Sequence, residues 1–141
     1  MTPDTRPMIE WIRDNREAGL TGAEIGVNHG LNAEYIRNTL KVVVLYLVDA
    51  VDYGINGLMV GYSNDIVKKF QDGWLDFVYI DANHQYEYVL EDIKLWTPKV
   101  KKGGVIGGHD YHSSAGVKQA VNEVYKDFYQ EKEDWWVIKN G

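Results

Sequence analysis

Four histidines stand in the sequence, His29, His84, His109 and His112, and each follows an apolar run of strand character. Asp81 and Asp110 lie on the same rim. Imidazole titrates near neutral pH, so histidines beside carboxylates suit proton transfer. His84 or His109, next to Asp81, is the candidate that takes a proton from a hydroxyl. In a second chemistry, Asp81, His109 and Asp110 hold a divalent metal; carboxylate oxygens with one imidazole suit Mg²⁺, Mn²⁺ or Ca²⁺. The metal-free route is preferred. A plainer role is also open: His109 and Asp110 cap the helix entry at Ser113-Ser114 and order the loop.

A turn that could receive a ligand comes earlier. Glu24-Ile-Gly26-Val-Asn28-His-Gly30 follows a short strand, Ala23 to Val27, and opens a helix over 31–40. Glycines at 26 and 30 allow a tight turn and close approach, and the helix points its first amides into that turn. The next strand ends in Asp49, 19 residues after Gly30. A carboxylate there can accept hydrogen bonds from both hydroxyls of a ribose. Asp52 takes that role if the strand runs longer. The acid followed by G-x-x-x-G differs from the G-x-G-x-x-G turn of nicotinamide-binding domains.

These residues need a frame, and the apolar periodicity supplies one. Residues 7–18 read as a helix with Met8, Ile9, Trp11 and Ile12 on one side, after punctuation at Pro3 and Pro7. The helix over 31–40 has Leu31, Tyr35 and Leu40 on one face. Val42 to Val48, Gly57 to Gly61, Leu75 to Ile80, Gly103 to Gly108 and Trp135 to Lys139 read as strands. Helices are expected over 64–70, 85–97 and 115–129, the last with Val117, Val121, Val124 and Phe128 on one face. Alternating strands and helices give an α/β fold: a Rossmann-like, mostly parallel sheet of about six strands with helices on both faces. The connection from Asp49 to Leu58 is too short for an ordinary crossover helix. A thin sheet edge is expected there, where a second copy could pair to make a homodimer.

Length and composition fit one domain over 1–141, with 45% apolar and 26% charged residues. The net charge is −6 and no basic stripe exists, which argues against nucleic acid as partner. The absence of cysteine removes disulfides and thiolate chemistry. No run is long and apolar enough for a membrane span, and Met1 to Glu10 lacks a signal-peptide core, so a cytoplasmic protein is expected. Of the many aromatics, Tyr86, Tyr111, Trp135 and Trp136 are candidates to shape an acceptor pocket. Trp135 and Trp136 must face opposite sides of a strand, one inward and the other free to meet a partner.

The glycine turn, Asp49, Leu75-Asp-Phe-Val-Tyr-Ile-Asp81-Ala-Asn-His84-Gln-Tyr86 and Lys102-Gly-Gly-Val-Ile-Gly-Gly-His109-Asp110-Tyr111 together resemble class I S-adenosylmethionine-dependent methyltransferases. The nearest branch is a small O-methyltransferase-like group with D-x-x-H-x-Y and G-G-x-x-x-x-H-D-Y motifs. The resemblance covers roughly residues 18–139. It implies that Glu24 and the backbone of Gly26, Asn28 and Gly30 face the methionine end and the ribose. It further implies that Asp49 binds the ribose, that Tyr62 and Ser63 sit by the adenine, and that Asp81 and Ala82 border the methyl-transfer cavity. The implied function is methyl transfer from S-adenosylmethionine to a small hydroxylated acceptor. Two departures stand out: the helix between the second and third strands is nearly absent, and one terminal strand stands where the family has two. They motivate an alternative, a cofactor-binding module without an acceptor site. A nucleotide-binding domain that prefers NAD is a third reading.

Overall fold

The computed structural model describes residues 5–42 and 44–140; Pro3 and Val43 lie outside them. The chain opens with helix α1 (Pro7–Asn15), started by proline in its first turn. Strand β1 (Thr21–Ile25), helix α2 (Leu31–Leu40), β2 (Val44–Asp49) and β3 (Leu58–Val60) follow. A short helix α3 (Ser63–Ile66) runs into a 3₁₀ turn, and then come β4 (Leu75–Ile80), α4 (Tyr86–Trp96), β5 (Val100–Gly108), α5 (Ala115–Val124), β6 (Tyr129–Glu131) and β7 (Asp134–Ile138).

The seven strands form one sheet in the order β3-β2-β1-β4-β5-β7-β6. Strands β1 to β5 are parallel, β7 runs antiparallel to β5, and β6 antiparallel to β7. The chain moves outward from β1 to β3, then returns to place β4 on the other side of β1. That reversal opens a crevice at the carboxyl ends of β1 and β4, where ligands bind in sheets of this kind.

Side-chain alternation splits the core into two layers. Ala23, Ile25, Val78, Ile80, Ile106 and Trp135 pack with Ile93, Trp96, Val117 and Val121 of α4 and α5. Phe77, Tyr79, Val105 and Trp136 pack on the opposite face with Met8, Ile9 and Ile12 of α1 and Ile36 of α2. The sheet is therefore covered on both faces, as the strand–helix alternation predicts.

Several expectations need correction. The described residues form seven strands rather than about six, because residues 129–138 make a hairpin of two where one terminal strand is expected. The helix expected over 115–129 stops at Val124, and Phe128 instead packs from the connection to β6. The first helix ends at Asn15, short of residue 18. The buried face of α2 is Asn32, Ala33, Ile36 and Leu40, whereas Leu31 is 42% exposed. Trp135 and Trp136 do face opposite sides, but both are buried, so neither is free to meet a partner. The short link holds as read: β2 joins β3 through residues 50–57 with no helix, and β3 forms one edge of the sheet. No helix among the described residues is long and apolar enough to cross a membrane.

The layer under β5 is tight at Gly107. A Cβ there would lie 2.1 Å from the Trp135 carbonyl oxygen and 2.6 Å from Met8 Sδ. Gly107→Ala is expected to destabilise the fold by about 1–3 kcal/mol, the usual cost of overpacking. Denaturant unfolding measures this, and an unchanged midpoint would show that β7 and α1 yield to the methyl group.

Candidate active site

The carboxyl ends of β1, β2, β3 and β4 surround a cavity of about 430 Å³. The glycine turn contributes Gly26 and Asn28, β2 contributes Asp49 with Ala50, and the segment after β3 contributes Gly61, Tyr62, Ser63 and Asn64. Asp81, Ala82 and Asn83 wall it beyond β4, and Tyr88, Glu91 and Asp92 of α4 close it.

Gly26 is required by the chain itself. Its φ is +88°, and a Cβ would sit 2.1 Å from the Asp81 carbonyl oxygen and 2.8 Å from Ala82 Cα. The exit of β1 thus touches the exit of β4 backbone to backbone. The sequence reads Gly26 as allowing a tight turn and close approach; the structure adds that a side chain such as valine here would push β4 away before any ligand arrived.

Asp49 ties the same turn from the other side. Its Oδ2 accepts from the amides of Val27 and Asn28, both at 2.8 Å, and Oδ1 accepts from Val51 at 3.0 Å. A carboxylate offers about four acceptor positions. Three are already taken by backbone, so roughly one remains for a hydroxyl in the cavity. Asp52, the fallback, caps its own turn through Gly54 and is not in the cavity wall.

Glu24 does not line the cavity. It points to the other face of the sheet, is 1% exposed, and accepts from Asn32 Nδ2 at 2.7 Å. Burial pushes its carboxyl up to about 8, against the opposing hydrogen bond from Asn32. Gly30 caps α2 with a φ of +87° and lies under Ile55, outside the cavity wall.

The histidines separate into two pairs. His29 packs its ring edge-on to Tyr53, and His112 bonds Gln130 at 3.1 Å away from the site. The other two flank a crevice of about 10 Å³ that shares Asp81, Ala82 and Asn83 with the main cavity. His84 Nε2 lies 2.8 Å from Asp110 Oδ2 and 3.8 Å from Asp81 Oδ1. His109 turns inward instead, with Nδ1 2.9 Å from Oδ1 of the fully buried Asp134, which also accepts from the Tyr79 hydroxyl at 2.7 Å and the Met8 amide at 3.0 Å. Burial, the largest single influence, lowers the His109 pKa, but the Asp134 hydrogen bond and the charges of Asp81 and Asp134 together outweigh it and the net shift is upward.

Asp81 and Asp110 share a hydrogen bond. Burial first, then that bond and the charge of Asp110, push Asp81 up to about 6. Burial also acts to raise Asp110, yet bonds from Ser113 and Asp81 and the nearby histidines prevail and hold it below the usual range. Asp110 has a φ of +67°, a conformation that aspartate tolerates better than most residues. It also anchors the loop into α5, accepting from Ser113 Oγ at 2.8 Å, so its plainer role is present alongside any chemical one.

One oxygen each of Asp81 and Asp110 and one nitrogen of His84 lie within 4.8 Å of one another. By donor type this trio fits a divalent cation. The histidine in it is His84, not His109, which Asp134 holds away. The aromatics expected around an acceptor are mostly engaged elsewhere. Tyr86 donates to Glu123, Tyr111 is buried and bonds Asn122, Trp136 is in the far core layer, and only Trp135 borders the crevice. Sequence reasoning missed Tyr53, Tyr88, Glu91 and Asp92. The available signal was Asp92, an acid on the buried stripe of α4 between Val89 and Ile93.

Comparison with known proteins agrees with this frame. Residues 54–111 match the profile of a family described as methyltransferase domain. An uncharacterised protein of Acanthamoeba polyphaga mimivirus is 38% identical over 134 residues, covering 77% of this chain and 60% of that protein. MycE methyltransferase of the mycinamycin biosynthetic pathway, solved with Mg and S-adenosylhomocysteine, superposes with a TM-score of 0.70 at 16% identity, over 95% of this chain and 49% of its own. A Klebsiella pneumoniae protein described as an O-methyltransferase gives 0.73 at 14% identity, over 99% and 82%. The O-methyltransferase of Bacillus cereus, solved with S-adenosylhomocysteine, gives 0.68 at 14% identity, over 96% and 83%. This chain thus spans about half to three fifths of the viral protein and of MycE, and its fold is the Rossmann-like fold of methyltransferase structures.

The buried Glu24 makes a testable mark on stability. An unfolded chain releases this proton near 4.5, whereas the folded state keeps it to about 8. Stability is therefore lost as pH rises through that window, by about 1.4 kcal/mol per unit at most. Glu24→Gln should match the parent protein in thermal unfolding near pH 5 and exceed it at pH 8. Equal midpoints at both values would mean that Glu24 is ionised in the fold.

Proposed function

We propose that the protein is an S-adenosylmethionine-dependent methyltransferase acting on a small hydroxylated acceptor. One observation carries the reading: the 430 Å³ cavity at the switch point runs from Asp49 past the glycine turn to Asp81 and the crevice beside His84. It has the size and the mixed polar and apolar lining of a small-molecule site. In this reading the remaining acceptor position of Asp49 receives a ribose hydroxyl. The methionine end lies against Gly26 and Asp81, and the base lies towards Tyr62 and Ser63.

His84 is the proposed proton acceptor. Its side chain is 52% exposed and its Nε2 is held by Asp110, so the ring is oriented yet reachable. The acceptor oxygen attacks the sulfonium methyl carbon, the carbon–sulfur bond breaks with its electron pair going to sulfur, and the hydroxyl proton passes to His84. The products are the methyl ether and S-adenosylhomocysteine. Positioning supplies most of the acceleration, because the sulfonium is already a good leaving group.

A second reading keeps a divalent cation at Asp81, His84 and Asp110. Such an ion lowers the pKa of an acceptor hydroxyl when bound. The third, a cofactor-binding module without methyl transfer, draws on the narrowness of the crevice, about 10 Å³.

Three measurements separate these. Calorimetric titration should give binding of S-adenosylmethionine and S-adenosylhomocysteine and none of NAD; the reverse order would sink the reading. Asp49→Ala should weaken cofactor binding by roughly 1–3 kcal/mol, since it strands a ribose hydroxyl and the amides of Val27, Asn28 and Val51. His84→Gln should retain cofactor affinity and lose about 10²-fold or more in methyl transfer, with chelator leaving the parent activity intact. Activity abolished by chelator and restored by Mg²⁺, together with a Mg²⁺-dependent rise in melting temperature, would install the metal reading instead.

A further inference from the structure

Glu24 and Asn32 meet on the face of the sheet away from the cavity, and their contact is incomplete as a pair of ordinary groups. Asn32, in the first turn of α2, donates Nδ2 to Glu24 Oε2 at 2.7 Å. Glu24 Oε1 and Asn32 Oδ1 are both buried, and neither accepts a hydrogen bond. Buried acceptors without donors are costly, and native folds satisfy them. The surrounding groups do not do so here. Arg6 before α1, Arg37 of α2 and Asp81 after β4 act on Glu24 through their charges, but none bonds Oε1. Tyr79, the register partner of Glu24 on β4, gives its hydroxyl to Asp134, and Leu47, the partner on β2, has no polar side-chain group.

One proton completes the pair. A carboxylic acid can donate from one oxygen and accept on the other, and a side-chain amide can do the same in return. The pair also spans the cofactor turn, for Glu24 lies two residues before Gly26 and Asn32 two residues after Gly30. That turn needs ties, since Asn28 holds a φ of +54°, a conformation that persists only where the surroundings impose it. Asp49 holds the turn from the cavity side through the Val27 and Asn28 amides. Resting on the proposed cofactor, we infer that Glu24 is a positioning residue held as a carboxylic acid: Oε1 donates to Asn32 Oδ1, Oε2 accepts from Nδ2, and this two-bond clasp fixes the turn that presents Gly26 and Asn28 to the cavity. Burial first, with the charge of Asp81, raises the Glu24 carboxyl to about 8 against the Asn32 bond and the two arginines, so the proton is in place at neutral pH. Above that value the clasp loses its donor and a charge enters the interior, and the turn loosens. The folded pKa is raised, so the tie is present below about 8 and is lost as pH rises through it.

Two measurements test this. Infrared pH-difference spectra of the parent protein should show a protonated-carboxyl carbonyl band that disappears as pH rises through about 8 and is missing from Glu24→Gln. No such band, or one that survives in the variant, means an ionised Glu24 and overturns the clasp. Calorimetric titration of S-adenosylhomocysteine at pH 7 and pH 9 then reads the link to the turn. The parent protein should bind about tenfold more weakly at pH 9, following the protonated fraction. Glu24→Gln, whose amide donates and accepts in the same places, should keep the affinity of the parent at pH 7 and lose the part of the pH dependence that Glu24 supplies. A merely structural Glu24 would alter melting temperature and leave both proteins with the same pH dependence of binding, which overturns the positioning role. If the variant does not fold, the parent band and the parent affinity falling through the same pH window decide the matter, and a fall at a different pH overturns it. Binding by neither protein at either pH overturns the cofactor reading and the positioning role with it, while the infrared band still decides whether the acid–amide pair exists.

Discussion

The backbone contact between Gly26 and Asp81 is the constraint on which the site depends. A side chain at 26 would collide with the Asp81 carbonyl, so β1 and β4 can leave the sheet side by side only if that position is glycine. This closeness puts the turn after β1 against the acid after β4. Asp49 then fixes the turn's far side by holding the Val27 and Asn28 amides. A cavity bordered by Asp49 at one end and by Asp81 and the crevice beside His84 at the other follows from these two ties. Neither contact involves a ligand, so the cavity is formed in the chain by itself. A preorganised site spares a ligand the cost of ordering the loop.

The rim shows how the same residue type takes different parts. His84 and His109 lie along one crevice, but Asp134 holds His109 from inside and Asp110 holds His84 from outside. Asp134 is fully buried and also accepts from Tyr79 and from the first helix through the Met8 amide. That network joins α1 to β5 and β7, so His109 is built into the scaffold while His84 remains half in solvent. The carboxylates differ in the same way: Asp81 is raised by burial beside Asp110, and Asp110 is held down by Ser113 and the histidines. Pairs of acids driven apart in this manner are common where proton transfer occurs.

Most of the frame was legible in the sequence because its signals are local. The β-branched run before Asp49, the three-and-four spacing of Val89, Ile93 and Trp96, and the glycine turn each specify an element without reference to the rest. The terminal hairpin was not legible for an equally local reason. Residues 125–134 contain neither glycine nor proline, and the tight turn is made by Lys132 at a φ of +51°. Lysine gives no turn signal, so the helix reading ran on past Val124. In the site, Asp49 and Asp81 were legible because strand ends are predictable. The partners of His84 and His109 were not, since Asp134 lies 25 residues from His109 and only the antiparallel return of β7 brings it back. Glu24 misled because alternation along β1 puts it on the face away from the cavity, a parity that a one-residue shift in the strand's start reverses.

In the proposed complex the cofactor lies in one direction: ribose over β2, base towards β3, sulfonium towards β4. A crystal structure of the complex with S-adenosylhomocysteine tests that order most directly. The expected result is a ribose hydroxyl within hydrogen-bond distance of Asp49, the sulfur beside Asp81 and the adenine towards Tyr62 and Ser63. A ligand lying the other way round, with its base over β4, or a ligand outside this cavity, would contradict it.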